Sequence, residues 1–130
     1  MHPLQVSLTR LPHPGGALRL TLRVEGHLDN ASVPGLQSPL AAALAEQPAE
    51  LVFDLAGLRF VTSAGLHQFL HALRQQKLHG GLAFFIHLTP SIQEVFRLLG
   101  PLPDLHVLQD LPALEAFLAA RRQARSQQQQ

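Results

Sequence analysis

The sequence predicts one α/β domain: a mixed, largely parallel β-sheet with about four helices, mainly on one face. Its 130 residues suit a single domain. Apolar strands alternate with amphipathic helices, a pattern that implies right-handed crossovers and parallel strands. The strand over 17–25 alternates polar and apolar residues, so only one of its faces is buried. Helices on both faces would bury Arg19 and Arg23, and we therefore expect helices mainly on one face.

The N-terminal part predicts two strands and a helix. A first strand near 4–11 precedes the alternating strand, and Gly15-Gly16 favours a hairpin turn between the two. From Val33 onward, apolar residues recur at spacings of three and four, which predicts an amphipathic helix. Asn30 and Ser32 are alternative N-caps for this helix.

The middle of the chain predicts a strand, a helix and a second strand. The apolar run over 51–55 is typical of a buried strand. A short turn then leads directly into a helix that extends from Ser63 to about His79, with Ser63 as its N-cap. Gly80-Gly81 ends this helix as a left-handed C-terminal cap, and a buried strand over 82–86 follows.

The C-terminal part predicts a third helix, a short strand over 105–108 and a final helix that begins at Asp110. Two starts for the third helix stay open. Thr89-Pro90 places proline in the first turn, whereas Ser91 with Glu94 could form a capping box.

The boundaries of the domain follow from where apolar residues end. We expect the domain to cover residues 1–120, with the final helix ending at about Arg122. Residues 121–130 are cationic and then glutamine-rich, with nothing to bury, so we expect a polar, disordered tail.

The composition excludes several classes of function. Ten Lys and Arg against nine Asp and Glu leave a formal net charge of +1, too little to steer the protein to nucleic acid or anionic lipid. The absence of cysteine removes disulfides, thiolate metal sites and cysteine nucleophiles, and it is compatible with a reducing cytoplasm. The longest apolar run, over 40–45, is far shorter than the roughly 18 residues of a membrane span. We therefore expect a cytoplasmic protein with no direct membrane insertion.

The segment over 55–66 is the most informative, because it leads from a strand into a helix N-terminus. Free backbone N–H groups and the helix dipole make such a place receptive to anions or a docking partner. The simplest interpretation is an ordinary helix cap at Ser63. Gly65 allows another backbone to approach closely, and the docking hypothesis assigns that backbone to a partner. Val61 stands where a nucleophile elbow requires glycine, so the motif of Ser hydrolases is absent.

This segment resembles the signature of the STAS domain family, which is named for sulfate transporters and anti-sigma factor antagonists. The family pattern is roughly D-hydrophobic-[SA]-G-hydrophobic-x-[FY]-hydrophobic-D-S-[STA]-G-L, and residues 54–66 are D-L-A-G-L-R-F-V-T-S-A-G-L. Further segments are similar to family motifs: V-E-G-H-L-D over 24–29, G-G-L over 80–82 and S-I-Q-E-V-F-R-L-L-G over 91–100. The resemblance covers about residues 4–120 and implies a sheet with helices on one face.

Two positions depart from the pattern of the phosphorylated family members. Their acceptor is the Ser or Thr immediately before the glycine, and here that residue is Ala64, which has no hydroxyl. Thr62 replaces the family's Asp. We therefore expect no phosphorylation at the acceptor position, and Ser63 is only a candidate in a shifted register.

The resemblance thus implies a docking surface more than a phosphorylation switch. Asp29 would lie beside the docking loop, although a turn or capping role is the simpler interpretation. His67 and His71 share a helix face and could chelate a metal, but Gln68 stands where a zinc protease has Glu, and no third ligand is evident. We expect no metal. The predicted partner-binding residues are Asp29, Thr62, Ser63, Ala64, Gly65, His67 and His71.

The first functional hypothesis, implied by the resemblance, is a bacterial regulator of transcription that acts by partner switching. It would be an anti-sigma factor antagonist-like module that binds an anti-sigma factor, often a serine kinase, without catalytic residues, cofactor or nucleic acid. The alternative is a regulatory STAS subunit of a lipid-transport ABC complex, which also lacks the phosphoserine. An enzyme that uses the histidines is a third hypothesis. The oligomeric state stays open.

Overall fold

The computed structural model describes residues 3–12 and 17–128, with side chains up to residue 127. The α/β fold class is confirmed. The predicted hairpin turn at Gly15-Gly16 lies outside the described residues. In chain order the elements are β1 (Gln5–Pro12), β2 (Leu18–Leu28), α1 (Val33–Ala45), β3 (Glu50–Asp54), β4 (Leu58–Val61), α2 (Ser63–Leu78), β5 (Leu82–Ile86), α3 (Pro90–Arg97), β6 (His106–Leu108) and α4 (Leu111–Gln128).

The sheet is mixed and largely parallel, as the sequence predicts. Its strand order is β1-β2-β3-β5-β6, and β1 is antiparallel to β2. The pairs β2–β3, β3–β5 and β5–β6 are parallel because α1, α2 and α3 return the chain between them. All these strands therefore end at the same edge of the sheet, where their connecting loops meet.

One strand was not predicted. Residues 58–61 form β4, which pairs in parallel with the last residues of β2 after a register shift between Gly26 and His27. The expectation of a short turn from the buried strand to the helix is therefore wrong. β4 is four residues long, and its outer residues Leu58 and Val61 are buried while the two between them are exposed. This burial follows from its position beside β2, which the local pattern does not reveal.

The larger part of the core lies between the sheet and α1, α2 and α3. Phe53 and Phe85 stack with ring centroids 4.9 Å apart, and Phe69 meets Phe53 edge-on at 5.2 Å. Phe96 from α3 contacts Phe85 at 5.2 Å. These rings join the apolar face of β2, so the alternation over 17–25 does identify the buried face correctly.

The other face of the sheet is not open throughout. α4 packs on it through Leu114 and Leu118, which contact Val52, Phe84 and Ile86. The sequence prediction that helices lie mainly on one face holds for α1, α2 and α3, and α4 is the exception.

The expectation that Arg19 is solvated is wrong for the same reason. Its side chain is only 4% exposed beneath α4. Arg19 Nε donates to Glu50 Oε1 at 2.7 Å, and its guanidinium also pairs with Glu115 of α4. Burial of a guanidinium is tolerated where carboxylates compensate it, and a single sequence does not show which carboxylates those are. Arg23, by contrast, is exposed as predicted.

The final helix is longer than the sequence predicts. α4 extends to Gln128 instead of ending at Arg122. Ala, Arg and Gln are good helix formers, and no Gly or Pro interrupts them, so the helix continues although these residues are exposed. Residues 129–130 lie outside the described residues. The domain boundary at residue 120 and the disorder of the tail stay predictions.

The end of α2 agrees with its prediction, and the start of α3 answers a question that the sequence left open. Gly80, two residues after the last residue of α2, adopts a φ of 84°, which agrees with the predicted left-handed cap. α3 begins with Thr89 as N-cap and Pro90 in its first turn, so the Thr89-Pro90 start is the one realised.

Candidate functional site

Two loops meet at the carboxyl ends of β2 and β4. The backbone N–H of Thr62 donates to the carbonyl of Leu28 at 3.0 Å. The Thr62 hydroxyl lies 3.3 Å from Asn30 Oδ1 and donates to it. These contacts join the loop before α1 to the loop before α2, so the two segments form one surface. From the sequence we identified Asn30 only as an alternative helix cap, because Thr62 is 32 residues away in the chain.

Asp29 organises the first of these loops. Its Oδ1 accepts hydrogen bonds from the backbone N–H groups of Ala31 at 3.0 Å and Ser32 at 2.9 Å. The Ser32 backbone and hydroxyl, foremost among these contacts, hold the pKa of the Asp29 carboxyl below its usual range. The simpler interpretation of Asp29, a turn residue, is thus what its hydrogen bonds show, and its role in partner binding stays a prediction.

The alternative caps for α1 have a mixed outcome. Ser32 occupies the N-cap position, but its side chain makes no capping hydrogen bond. Its hydroxyl donates to the carbonyl of His27 at 2.8 Å and accepts from the Asp29 N–H at 2.9 Å. Ser32 therefore fastens the loop to the end of β2.

Thr62, not Ser63, caps α2. Because β4 ends at Val61, Thr62 is the last extended residue, with φ −92° and ψ 174°, and its hydroxyl accepts from the Gly65 N–H at 3.4 Å. The prediction that Ser63 is the N-cap is wrong. Ser63 lies in the first turn of the helix with its side chain exposed.

Gly65 is required by a contact within the domain. A Cβ at this position would lie 2.7 Å from Leu28 Cγ, 2.9 Å from the Leu28 carbonyl and 2.9 Å from Val61 Cγ2. Within the domain, the backbone that approaches Gly65 is that of Leu28, and contact of Gly65 with a partner stays a prediction. Gly65 is buried, and its lack of a side chain lets the start of α2 lie close to Leu28. Ala64 beside it is half-buried against the core.

His67 and His71 lie one turn apart on the exposed side of α2. Within residues 3–12 and 17–128, no three His, Asp or Glu side chains are grouped so as to hold a metal ion. Both histidines extend the surface of the joined loops along the helix. Their part in binding a partner stays a prediction.

An aromatic pair borders these loops and was missed in the sequence. Phe60 is 50% exposed although it is large and apolar, and its ring centroid lies 5.7 Å from that of His27. His27 lies two residues before Asp29, and Phe60 lies two residues before Thr62. The family pattern has an aromatic residue at the position of Phe60, and this could have pointed to Phe60. The pattern does not show that the ring is exposed. The predicted docking surface, called the partner surface below, comprises His27, Asp29, Asn30, Phe60, Thr62, Ser63, Ala64, His67 and His71.

This surface contains hydroxyl, amide, carboxylate and imidazole groups and one half-exposed aromatic ring. Such a mixture is typical of protein docking sites, where aromatic residues supply area and polar groups fix the orientation. In the part of the chain that the structure describes, no helix is long and apolar enough to cross a membrane.

The fold and this loop define a known class of protein: the chain belongs to the STAS domain family, whose model matches residues 9–113. Among curated proteins it is similar to BtrV of Bordetella bronchiseptica, whose name marks it as a candidate anti-sigma factor antagonist. The two are 30% identical over 77 residues, which are 59% of this chain and 66% of the relative. The aligned part thus spans slightly less than two thirds of that relative.

Solved structures of anti-sigma factor antagonists share the fold. One from Mycobacterium paratuberculosis superposes with a TM-score of 0.70 at 23% identity, covering 86% of this chain and 93% of the other. The phosphorylated form of SpoIIAA from Bacillus superposes with a TM-score of 0.65 at 18% identity, covering 87% and 99%. The unphosphorylated form of SpoIIAA gives 0.65 at 19% identity, covering 90% and 98%.

Proposed function

We propose that this chain is an anti-sigma factor antagonist-like module that acts by docking its partner surface onto an anti-sigma factor. The hydrogen bond between Thr62 and Asn30 carries the proposal, because it joins the family's signature loop to the loop after β2 as one exposed surface. Family membership and the fold support a regulatory role. The module itself would be non-enzymatic and would work in the bacterial cytoplasm.

The partner would be an anti-sigma factor of the serine-kinase type. Because the net charge is only +1, long-range steering contributes little, and specificity must come from shape and a few polar contacts. Phe60 is the natural anchor, since aromatic side chains at the centre of an interface often dominate its binding energy. The relatives described above are named for the antagonist function, and none of their names points to the ABC transport alternative.

Partner switching in this chain would not use the usual phosphoserine. Ala64 has no hydroxyl, and Ser63 lies one residue earlier, in the first turn of α2. With a serine-kinase partner and ATP, we expect no stoichiometric phosphate on residues 62–65 by peptide mass spectrometry. Full modification of Ser63 would instead establish a switch in a shifted register.

Calorimetry with a serine-kinase-type anti-sigma factor from the same organism tests the docking surface. Phe60→Ala and His67→Ala should each weaken binding, Phe60→Ala by about tenfold or more. Leu111→Ala is the matched control, because Leu111 is an exposed apolar residue at the start of α4, and its affinity should equal that of the wild type. Unchanged affinity in both surface variants would place the interface elsewhere. Binding to a transporter ATPase but not to the anti-sigma factor would favour the alternative function.

A further inference from the structure

A histidine and an aspartate meet at the carboxyl edge of the sheet, outside the partner surface. Asp54 is the last residue of β3, and His87 directly follows β5, the neighbouring parallel strand. His87 Nδ1 lies 3.0 Å from Asp54 Oδ1. The Asp54 side chain is 17% exposed and that of His87 is 38% exposed, so the pair lies at the surface with its carboxylate largely covered.

The backbone at His87 makes this contact possible. In a regular strand, residue 87 would face away from residue 86 and therefore from Asp54, which pairs with Ile86. His87 has a φ of 61°, a left-handed conformation that few residues other than glycine adopt. This conformation interrupts the alternation and brings the imidazole to the carboxylate. It is held by the hydrogen bond from the His87 N–H to the carbonyl of Gln109, at 3.2 Å.

We propose that His87 is a phosphoryl acceptor at Nε2, for donors that carry the phosphoryl group on nitrogen. The Asp54 carboxylate accepts a hydrogen bond from Nδ1–H, which places the lone pair of the neutral ring on Nε2. Among the described residues, Nε2 has no hydrogen-bond partner. The carboxylate also stabilises the positive charge that the ring acquires when Nε2 attacks, which is the role aspartate has beside histidine in hydrolase triads.

The transfer balances without any redox partner. The Nε2 lone pair forms a bond to phosphorus as the donor's P–N bond breaks, and the bonding electrons leave with the donor nitrogen. In phosphoramidate that nitrogen is already protonated and leaves as ammonia. The Nδ1 proton stays between the ring and Asp54. The Arg23 guanidinium lies beside the His87–Asp54 pair. Its Nε is 3.8 Å from Asp54 Oδ2 and 3.6 Å from Glu25 Oε1.

Competition among the chain's own histidines is the first test. The whole protein is treated with phosphoramidate at neutral pH, and the labelling rate of each histidine is measured by peptide mass spectrometry. We expect His87 to be labelled about tenfold faster than His67 and His71, which are more exposed but have no carboxylate partner among the described residues. Phosphorus NMR should show the Nε2 isomer. Equal rates, or the Nδ1 isomer, would overturn the proposal.

Substitution of the carboxylate separates chemistry from exposure. Asp54→Asn should slow the labelling of His87 by about tenfold, because the amide cannot neutralise the charged ring. The rate at the exposed His67 should stay constant and reports the reagent, and circular dichroism reports an intact fold. Asp104→Asn is the matched control, since Asp104 pairs with Lys77 on α2, and it should leave His87 unchanged. An unchanged His87 rate in Asp54→Asn would refute the assignment. No partner is present, so the outcome is independent of the proposed docking function.

Discussion

Arg19 of β2 pairs with Glu115 of α4 on the sheet face that we expected to be largely free of helices. The guanidinium is buried and has Glu50 as a second partner at 2.7 Å. α4 also packs on this face through the apolar cluster around Leu114 and Leu118, so the ion pair adds to an apolar attachment. The contact with α4 also explains why this part of β2 is buried on both faces. Its apolar face packs in the core, and Arg19 on the other face is covered by α4.

Arg19→Met should lower the free energy of unfolding by about 1–3 kcal/mol, because it removes a buried guanidinium together with its contacts to Glu50 and Glu115. Arg10→Met is the matched control. Arg10 pairs with Glu46 at the surface, where solvent screens the two charges, so its loss should cost clearly less than that of Arg19. Urea denaturation of both variants measures the difference. Equal losses would mean that burial adds nothing to the Arg19 contacts.

Thr62→Val should destabilise the protein by about 1 kcal/mol, because it removes the α2 cap and the hydrogen bond to Asn30. Thr89→Val provides the comparison, since Thr89 is the N-cap of α3 but makes no capping hydrogen bond through its side chain. Its free energy of unfolding should stay within about 0.5 kcal/mol of the wild type. Thermal denaturation distinguishes the two, and a neutral Thr62→Val would show that the loops are joined by other contacts.

Gly65→Ala should cost about 1–3 kcal/mol of stability, since the new methyl group would overlap Leu28 and Val61. Gly35→Ala tests the same change within α1, where the Cβ meets only Leu4 Cδ2 at 3.3 Å. There we expect a neutral effect or a gain of about 0.5–1 kcal/mol from helix propensity. If both variants were equally stable, the close approach at Gly65 would be incorrect.

Ala64→Glu should abolish binding of the anti-sigma factor by placing a charge on the partner surface. The carboxylate lies near the N-terminus of α2, where it is favourable by about 0.3–1 kcal/mol, but Ala64 is half-buried, so we expect a small net loss of stability. Ala120→Glu, on the exposed side of α4, should leave affinity unchanged. Affinity and melting temperature are measured together, and full affinity in Ala64→Glu would remove this residue from the surface.

Stability should fall as the pH drops below about 6.5, in part because of His106. Its ring contacts Phe84 and Phe117 at centroid distances of 5.5 and 4.8 Å, and burial, aided by the charge of Arg121, lowers its pKa. The unfolded chain therefore takes up a proton at a pH where the folded chain does not. His106→Gln should flatten the dependence below about pH 6.5 relative to the wild type. Equal slopes would contradict the prediction.

The sequence by itself determined the order of the main elements, because each period reflects burial of one face of a local segment. The alternation over 17–25 identified the buried side of β2, and the glycine at 80 marked the end of α2. The signature over 54–66 placed the loop at the start of α2. These signals need only neighbours within a few residues, so a single sequence contains them.

Only the tertiary structure decided which distant groups meet. In the structure β4 pairs with β2, and Leu28 lies against Gly65. Thr62 caps α2 and also donates a hydrogen bond to Asn30. Arg19 is buried beneath α4. Hydrogen bonds, ion pairs and close packing at these positions join residues 31 or more apart in the chain, and no local period records such a partner.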